Sequence, residues 1–512
     1  MYSTILSAAC HGIDSYLVNV EVDASTGLPG FDMVGSLASE VKEARERVRV
    51  SLKNSGIKIP PVRVTVNLSP ANVHKGGSGF DLPIAIGILC ALEKIKPDCV
   101  KDILLLGELG LDGKVRKVKG ILPIVMEAKA RGICKCIIPM DNYPEAIQVD
   151  GMEVYGVSGL SETLEYLQCS VKEQKELQCK QRSGLTKKRI MLPKESELDF
   201  SQLIGQEHAK RAAMIAAAGH HHLLLSGPPG SGKTMLAKRI TTILPSLKSD
   251  ESLEVSKIYS IAGLLTEESP LVQVPPFYNP HHTISPVAFA GGGKNPVPGM
   301  ISLAHKGILF LDELPEFRRE VLEILRQPLE DRKIHISRSS GSYCYPASFL
   351  LVGAMNPCPC GYYPDRNRCT CSEQEVKKYA GKISGPILDR IDLRIYTNRI
   401  MPGELLQERE GVSSSQMKEK VIRARKIQEM RFGSQSHYNG EMNTDEIKKY
   451  CMLSDELHGL VEKLYQSLNL SARSYGKMLK VARTIADLEG EPIIKKEHLM
   501  EAGMYQEWQG GI

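Results

Sequence analysis

The sequence carries its plainest chemical signal, phosphate binding, in a run of eight residues that begins at Gly227. The run follows a short apolar strand at residues 223–225 and opens a helix with apolar periodicity, which is the strand–loop–helix context of a P-loop. Its glycines allow backbone N–H groups to wrap a phosphate at the positive end of the helix. We expect Lys233 to reach the β- and γ-phosphates of ATP and Thr234 to ligate Mg²⁺. The nucleotide-binding loop consists of Gly227, Pro228, Pro229, Gly230, Ser231, Gly232, Lys233 and Thr234.

Two acids at the end of a second apolar strand extend this site. The strand, residues 307–311, runs directly into Asp312 and Glu313. We expect Asp312 to hold Mg²⁺ through water and Glu313 to polarise the attacking water as a general base. The alternative is a strand that ends in surface acids, which the P-loop upstream makes the weaker interpretation.

Three further polar residues are candidates for the hydrolytic site. Asn356 ends a third apolar strand and is placed to orient the lytic water, although an Asn at a strand end often serves only a turn. Arg390 and Arg473 each offer a guanidinium that would stabilise the charge developing on the γ-phosphate. A structural ion pair is the alternative for each arginine, for instance Arg390 with Asp389 or Asp392.

Four cysteines are crowded into residues 358–371, a segment rich in turn residues. Four thiolates on one short loop suit a tetrahedral Zn²⁺ ion, and this site would be structural because no coordination position stays open. The alternative is four reduced cysteines in an exposed loop, which would be prone to oxidation. The predicted zinc ligands are Cys358, Cys360, Cys369 and Cys371. A second pair, Cys134 and Cys136, lies in an alternating strand and is better explained by core packing.

Two segments have the composition of loops that grip a polyanion. The first lies in the long insertion between the P-loop and Asp312 and contains two histidines and a Gly-rich stretch with a lysine. The second, residues 332–338, alternates like a hairpin strand. Such loops would bind a phosphate backbone in a salt-dependent, sequence-independent way. The alternative is that they shape subunit contacts. The candidate DNA-binding residues are His281, His282, Lys294, Lys333 and Arg338.

Length and composition constrain the protein that must position these residues. A chain of 512 residues predicts two to four domains, and 42% hydrophobic with 24% charged residues is typical of a soluble protein. The net charge of +5 leans only weakly toward anionic partners. No apolar run is long enough to span a bilayer and no basic region precedes the first apolar stretch, so we expect a cytoplasmic protein without a signal peptide. The 13 cysteines are then not a disulfide framework.

The pattern of apolar, polar and charged residues along the chain predicts an α/β protein in four parts. Residues 1–168 alternate short strands with helices, including a strand at 63–68, a buried helix at 81–93 and a core strand at 103–107. Residues 169–198 are polar and basic and are interpreted as a linker. Residues 199–400 form a second α/β domain that includes the cysteine loop, and residues 401–512 are predicted to be helical.

Several longer motifs resemble one family closely. They include Pro-His-His-Thr-Ile-Ser at 280–285, the strand and acids at 307–317, Leu-Arg-Gln-Pro-Leu-Glu at 325–330 and Ala-Met-Asn-Pro-Cys-Pro-Cys-Gly at 354–361. In these motifs the chain resembles the YifB/ComM family of magnesium-chelatase-like AAA+ ATPases, over nearly its whole length. The resemblance implies a Lon-protease-like N-terminal domain, an AAA+ P-loop core, a C-terminal helical lid and a hexameric ring.

The resemblance also implies roles for individual residues. Asn356 resembles sensor 1, Arg390 the arginine finger that acts on the neighbouring subunit's ATP, and Arg473 the sensor 2 arginine. The N-terminal motifs at 107–110 and 113–116 resemble the proteolytic domain of Lon, which needs a serine activated by a lysine. Gly79 or its neighbour stands at the serine position, and residues 122–124 are apolar where the lysine belongs. We therefore expect a scaffold or DNA-binding module without a catalytic dyad.

These observations leave competing functions. The first is an ATP-dependent ring motor on single-stranded or branched DNA, a branch-migration helicase that promotes recombination of incoming DNA in natural transformation, as in the ComM members of the family. The alternative is a magnesium-chelatase-like remodelling chaperone that acts on a protein partner. An ATP-dependent protease is disfavoured by the missing lysine. The expected cofactors are ATP and Mg²⁺, with a structural Zn²⁺ in the cysteine loop.

Overall fold

A computed structural model describes residues 2–73, 75–186, 198–293, 295–338, 341–399, 411–434 and 436–506. Among these residues no helix combines the length and the apolar character needed to cross a bilayer. Besides its α-helices and strands, the described chain has short 3₁₀ helices at Pro97–Cys99, Met140–Asn142, Phe200–Gln202, Leu314–Glu316 and Asn439–Glu441.

The N-terminal region is an α/β unit built on one mixed sheet. Its strands are β1 (Tyr2–His11), β2 (Asp14–Ser25), β3 (Gly30–Val34), β4 (Arg63–Ser69), β5 (Ile103–Leu105), β6 (Glu108–Leu109), β7 (Val115–Arg116), β8 (Lys135–Pro139) and β9 (Glu153–Val157). Its helices are α1 (Ser39–Asn54), α2 (Asp81–Ala91), α3 (Ile121–Ala130), α4 (Tyr143–Ala146), α5 (Leu160–Gln168) and α6 (Val171–Thr186). The main sheet has the order β3-β4-β2-β1-β5-β8-β9.

The strands and the buried helix predicted in this region are confirmed, although the core strand β5 ends at Leu105, two residues earlier than predicted. Helix α2 is buried at every position because apolar residues surround its whole circumference, so it can only lie in the interior. It ends two residues earlier than predicted, since Glu93 adopts a left-handed conformation beyond its last turn.

The segment predicted as a linker differs from the prediction in its first half. Residues 171–186 form α6, and Gln181 both donates to the carbonyl of Gly156 and accepts from its N–H, at 2.8 and 3.0 Å. Gln178 donates to the hydroxyl of Tyr166. Polar side chains therefore attach this helix to β9 and α5, and a search for apolar periodicity does not detect such contacts. The rest of the predicted linker, residues 187–197, lies outside the described residues.

The central region is a second α/β unit on a parallel sheet. Its strands are β10 (Leu223–Ser226), β11 (Phe277–Tyr278), β12 (Gly291–Gly292), β13 (Val297–Pro298), β14 (Ile308–Leu311), β15 (Lys333–Arg338), β16 (Gly341–Pro346), β17 (Leu350–Met355) and β18 (Leu393–Tyr396). Its helices are α7 (Glu207–Gly219), α8 (Lys233–Ile243), α9 (Ser249–Ala262), α10 (Pro286–Ala290), α11 (Met300–Leu303), α12 (Arg319–Ile324), α13 (Pro328–Asp331), α14 (Glu373–Ala380) and α15 (Gly385–Leu388).

The order of this sheet decides where the functional side chains meet. Five strands lie side by side as β11-β14-β17-β10-β18, and every pair is parallel. The strand before the P-loop, β10, is therefore separated from the strand before Asp312, β14, by β17 alone. Because all the strands run in one direction, the residues that follow β10, β11, β14 and β17 collect at one edge.

The C-terminal region is helical, as predicted. It contains α16 (Ser414–Phe432), α17 (Thr444–Tyr450), α18 (Asp455–Ser467), α19 (Ala472–Glu489) and α20 (Lys496–Met504). Ser413 caps α16 by accepting from the N–H of Gln416. Apolar residues of α16 and α19, such as Val421 and Met478, share one core with Leu236 of α8. The helical region therefore packs directly against the helix that follows the P-loop.

The N-terminal unit contacts the central unit at several places among the described residues. The buried carboxylate of Glu145 accepts from the hydroxyl of Ser260 at the end of α9, at 2.8 Å. The ring of His11 stacks on Tyr343 of β16, with centroids 4.3 Å apart. The N-terminal unit thus packs against the hairpin β15–β16, one strand of which is predicted to contact DNA.

Candidate functional site

The phosphate-binding loop has the geometry that its sequence predicts. Strand β10 is buried throughout and α8 begins at Lys233. Gly230 and Gly232 have φ angles of 74° and 83°, a left-handed conformation that strains any residue with a Cβ. These two positions let the chain turn from the strand into the helix while its N–H groups face the loop interior.

The amine of Lys233 lies over this loop. Its Nζ donates to the carbonyls of Gly227 and Pro228 at 2.7 and 3.0 Å, and lies 3.3 Å from Oδ1 of Asn356. Burial lowers the pKa of Lys233 to about 8, and the nearby charge of Asp312 partly opposes that shift. The amine therefore stays mostly protonated at neutral pH. It lies where β- and γ-phosphate oxygens would replace the loop carbonyls.

The side chains predicted to bind Mg²⁺ already touch each other. The hydroxyl of Thr234 donates to Oδ2 of Asp312 at 2.7 Å, and the N–H of Glu313 donates to Oδ1 at 3.0 Å. A hydroxyl and a carboxylate are hard oxygen ligands that fit Mg²⁺ together with ATP phosphates. The residues present therefore fit the ion that the sequence motif implies.

Glu313, the predicted general base, has an unexpected partner. Its φ is 51°, so its backbone is left-handed, and its side chain is 59% exposed. Oε2 lies 3.4 Å from Nδ1 of His282. The His282 ring lies tilted against that of His281, with centroids 4.1 Å apart, and edge-on to Phe317 at 6.4 Å. The structure thus places His282, which was predicted to bind DNA, beside the predicted general base.

The cysteine loop packs against the nucleotide site. It follows Asn356, and a Cβ added to Gly361 would lie 2.6 Å from Cδ of Pro229 in the P-loop. The Sγ–Sγ distances are 3.3 Å for Cys358–Cys360, 3.8 Å for Cys358–Cys369 and 3.6 Å for Cys360–Cys369. All four predicted ligand atoms, including that of Cys371, lie within 4.8 Å of one another. This donor set fits a tetrahedral Zn²⁺.

The two candidate arginines converge on a residue that sequence reasoning missed. Arg390 and Arg473 each donate to the carboxylate of Glu330, Arg473 at 2.7 Å, and the bond from Arg390 holds the pKa of Glu330 below its usual range. The three line a cavity of about 1030 Å³ between the central and helical regions. None of the P-loop residues lines this cavity. The partner of Arg390 is therefore Glu330, not the adjacent Asp389 or Asp392.

Lys477 ties the helical region to the Arg390 segment. It lies one turn beyond Arg473 on α19, and its Nζ donates to the carbonyls of Asp389 and Ile391 on either side of Arg390. Burial lowers the pKa of Lys477 to about 8, with the charge of Asp392 opposing the shift. In the sequence, the contact could be inferred only from the i, i+4 spacing of Arg473 and Lys477, which places both side chains on one face of a helix.

The Gly-rich loop and the second hairpin lie together. A Cβ added to Gly292 would lie 3.0 Å from Nη2 of Arg338, and the hydroxyl of Tyr345 donates to the carbonyl of Pro296 at 2.7 Å. Arg338 pairs with Gly341 at the hairpin tip, whereas Lys333 pairs with Pro346 at its base. Of the predicted DNA-binding residues, Arg338 therefore joins the Gly-rich loop and Lys333 lies farther off. Lys294 lies outside the described residues.

Comparison with known proteins decides the family. The family model "Magnesium chelatase, subunit ChlI" matches residues 199–405, "Subunit ChlI of Mg-chelatase" matches 20–142, and "Magnesium chelatase, subunit ChlI C-terminal" matches 411–506. The competence protein ComM of Haemophilus influenzae is 42% identical over 503 residues, covering 98% of this chain and 97% of that protein. The uncharacterized protein YifB of Escherichia coli is 40% identical over 513 residues, with the same coverage. The chain belongs to the YifB/ComM family of magnesium-chelatase-like proteins.

Membership of this family supports the fold predicted from sequence: a Lon-like N-terminal unit, an AAA+ core and a helical C-terminal region. It also indicates that ATP and Mg²⁺ are the core's cofactors. Lon protease 2 of Bacillus subtilis is 29% identical over 147 residues, covering 27% of this chain and 26% of that protein. The match supports the Lon-like character of one part of the chain.

In the N-terminal unit, the segment that resembles the Lon serine segment has no hydrogen bond between a serine and a lysine among the described residues. Gly79 is buried, and an added Cβ there would lie 3.2 Å from Val118. The neighbouring hydroxyl of Ser78 donates to the carboxylate of Glu108. The amine of Lys75 is buried without a hydrogen-bond partner among the described residues. Ser78 is therefore paired with a carboxylate, and its hydrogen bond does not involve a lysine.

Proposed function

We propose that this chain is an ATP-hydrolysing ring motor that moves branched DNA. The observation that carries the proposal is a divided site. Lys233, Thr234 and Asp312 meet at one sheet edge, whereas Arg390 and Arg473 meet at a cavity that no P-loop residue lines. A site whose arginines lie elsewhere on the same chain can be completed by a neighbouring copy.

The geometry of the first half supports hydrolysis. Thr234 and Asp312 would hold Mg²⁺, which would polarise the ATP phosphates, and Lys233 would neutralise phosphate charge. Glu313 then accepts a proton from the attacking water. Asn356, already 3.3 Å from the Lys233 amine, is within reach of the same γ-phosphate and orients that water.

The second half supports an oligomer. Arg390 and Arg473 would leave Glu330 for the γ-phosphate bound by the next subunit, where they stabilise the charge of the transition state. Only a closed ring, for which we propose six copies, gives every site its arginines. Lys477 joins the Arg390 segment to α19, the helix that carries Arg473, so rotation of the helical region would move both arginines together.

DNA contact is supported by the paired loops. A glycine-rich hairpin allows close approach of a backbone, and Arg338 beside it supplies a guanidinium for phosphate. Such contacts bind without regard to sequence and weaken with salt. The name of the Haemophilus influenzae relative, a competence protein, agrees with branch migration of incoming DNA during natural transformation in the cytoplasm.

The cysteine loop supports a structural role for zinc in this motor. A Zn²⁺ ion held by Cys358, Cys360, Cys369 and Cys371 would stiffen the segment that packs on Pro229. It would leave no coordination position for a substrate.

Steady-state ATP hydrolysis with a panel of DNA structures tests the proposal. We expect forked and four-way DNA to stimulate hydrolysis more than duplex DNA, and we expect this stimulation to fall with added salt. Glu313→Gln is the control that keeps the binding loop and removes the base. If no DNA binds or stimulates at moderate salt, the DNA motor is refuted.

A remodelling chaperone is the second candidate, favoured by the match of residues 199–405 to a magnesium chelatase subunit. It predicts an ATPase that is indifferent to every DNA in the panel and is stimulated by a protein partner.

A further inference from the structure

Arg390 lies on a connection that has no regular structure of its own. The connection, residues 389–392, joins the end of α15 to the start of β18. Carbonyl groups at the end of a helix have no partner within that helix, so their hydrogen bonds come from other groups. Arg390 itself serves one of them, since its Nη1 donates to the carbonyl of Pro386 at 2.7 Å. The direction of Arg390 therefore depends on the side chains that donate to the carbonyls around it.

Lys477 donates to this connection from the helical region. It lies on α19, and its Nζ donates to the carbonyl of Asp389 and, at 3.1 Å, to the carbonyl of Ile391. A charged donor forms a stronger hydrogen bond than a neutral one. The two acceptors are the residues immediately before and after Arg390. One ammonium group consequently holds the backbone on both sides of the arginine.

Burial keeps this ammonium group in place. The Lys477 side chain is only 12% exposed, and a buried cation needs acceptors because it has lost its water. The carboxylate of Asp392 lies 3.8 Å from Nζ, and its other oxygen accepts from the N–H of His222, just before β10, at 3.0 Å. The amine is therefore held between the Arg390 connection and the central sheet. It cannot turn into solvent without a movement of α19.

Lys480, one turn further along α19, provides an internal comparison. Its Nζ donates to the carbonyl of Gly440 at 3.2 Å, and burial lowers its pKa as it does for Lys477. Gly440 belongs to the helical region, so this bond lies within that region, whereas the bonds of Lys477 cross to the central region. The two lysines thus share an environment and a type of bond, and they differ in the segment that they hold.

We propose that Lys477 is a positioning residue for Arg390, which it aims at the ATP of the next subunit by holding the backbone on both sides of it. When the guanidinium leaves Glu330, the backbone from which it extends stays attached to α19. Lys477 itself touches neither ATP nor the attacking water. This inference rests on the proposed function, because it takes Arg390 as the residue that completes a neighbouring site.

Steady-state ATPase kinetics of the full-length protein test this role. Lys477→Met keeps most of the apolar stem and removes the donors, so kcat should fall about 100-fold, the cost of misplacing a catalytic group by about 1 Å. KM should stay within about twofold, because the residues that bind ATP are untouched. Lys477→Arg, which keeps a cationic donor, should restore kcat to within about tenfold of the wild type.

Lys480→Met is the matched control, since it removes a buried lysine from the same helix. Its kcat should stay within about twofold of the wild type, and thermal unfolding should show that the two Met variants fold alike. A Lys477→Met variant with the kcat of Lys480→Met, or with a raised KM and an unchanged kcat, overturns the proposal. So does a loss in Lys477→Arg as large as that in Lys477→Met.

Mixed rings locate the defect. Lys477→Met mixed equally with Lys233→Ala should recover about a quarter of the wild-type rate, because some sites then combine an intact P-loop with an intact Arg390 segment. Lys477→Met mixed with Arg390→Ala should stay inactive, because both changes affect the same side of the shared site. The reverse pattern would place Lys477 in the nucleotide site of its own chain and overturn the proposal.

Arg390→Ala alone separates this inference from the proposed function. If Arg390→Ala hydrolyses ATP at the wild-type rate, the shared site and the positioning role are both refuted. If Arg390→Ala is inactive while Lys477→Met keeps its kcat, the shared site stands and only the role of Lys477 is refuted.

Discussion

Replacement of Cys369 by serine should remove a metal ion and, at the same time, weaken the binding of ATP at the P-loop. Four thiolates 2.3 Å from a central zinc stand about 3.8 Å apart at the corners of a tetrahedron. The measured Sγ separations of 3.3, 3.6 and 3.8 Å need only small adjustments to reach that geometry. The N–H groups of Gly361 and Tyr363 lie 3.2 and 3.4 Å from the sulfur of Cys358, as donors to a thiolate would.

The size of the effect follows from linkage. An ion present at about 100 times its dissociation constant stabilises the folded state by about 2.7 kcal/mol. For a domain of this size that free energy corresponds to about 5–10 °C in Tm. Because Gly361 packs on Pro229, loss of the ion should also raise the KM for ATP.

Elemental analysis of purified protein, followed by thermal unfolding and ATPase kinetics, measures all three effects. The wild type should hold about one zinc per chain. Cys134→Ser is the matched control, because Cys134 is exposed and lies outside the cluster. A wild-type protein that is metal-free yet fully active, or a Cys369→Ser variant that keeps its zinc and its Tm, would refute the reasoning.

Three other perturbations have defined outcomes. Arg390→Ala and Lys233→Ala should each abolish hydrolysis. A random equal mixture of the two variants in one ring should recover about a quarter of the wild-type rate, because each site needs an intact Lys233 from one subunit and an intact Arg390 from its neighbour. Mixed rings that recover no activity would contradict shared sites. Arg338→Ala should weaken DNA binding equally for all sequences and reduce the salt slope by about 1, as measured by fluorescence anisotropy. Burial alone would raise the pKa of Glu441, but its bond with His437 and nearby cations lower it to about 2. This carboxylate therefore stabilises the folded state above about pH 4.5, and that stabilisation is lost as the pH falls toward 2. Denaturant titration of Glu441→Gln should show a smaller loss of stability over that range.

The nucleotide site could be predicted because the residues that form it belong to short local motifs. A P-loop determines its own backbone, so Lys233 and Thr234 were placed by their position in eight residues. Asp312 lies 78 residues beyond Thr234 in the sequence, but an apolar strand that ends in acids is expected to lie in the same parallel sheet, with its acids at the edge where the P-loop begins. The cysteine cluster was equally local, since its ligands span 14 residues.

Contacts that depend on sheet order or on distant helices could not be predicted in this way. His282 was assigned to DNA because its neighbours are a Gly-rich loop, and only the pairing of β11 with β14 shows that it reaches Glu313. Glu330 and Arg473 are 143 residues apart, and no periodicity links them. Helix α6 was interpreted as part of a linker because it has little apolar periodicity: besides the packing of Leu177 on the N-terminal core, glutamine side chains attach it.

Conversion of a labelled four-way DNA junction into two duplexes tests the central claim most directly. With ATP and Mg²⁺ the full-length protein should convert the junction into the two duplexes, and Glu313→Gln should bind the junction without converting it. A protein that hydrolyses ATP at its full rate while the junction stays intact would contradict the account.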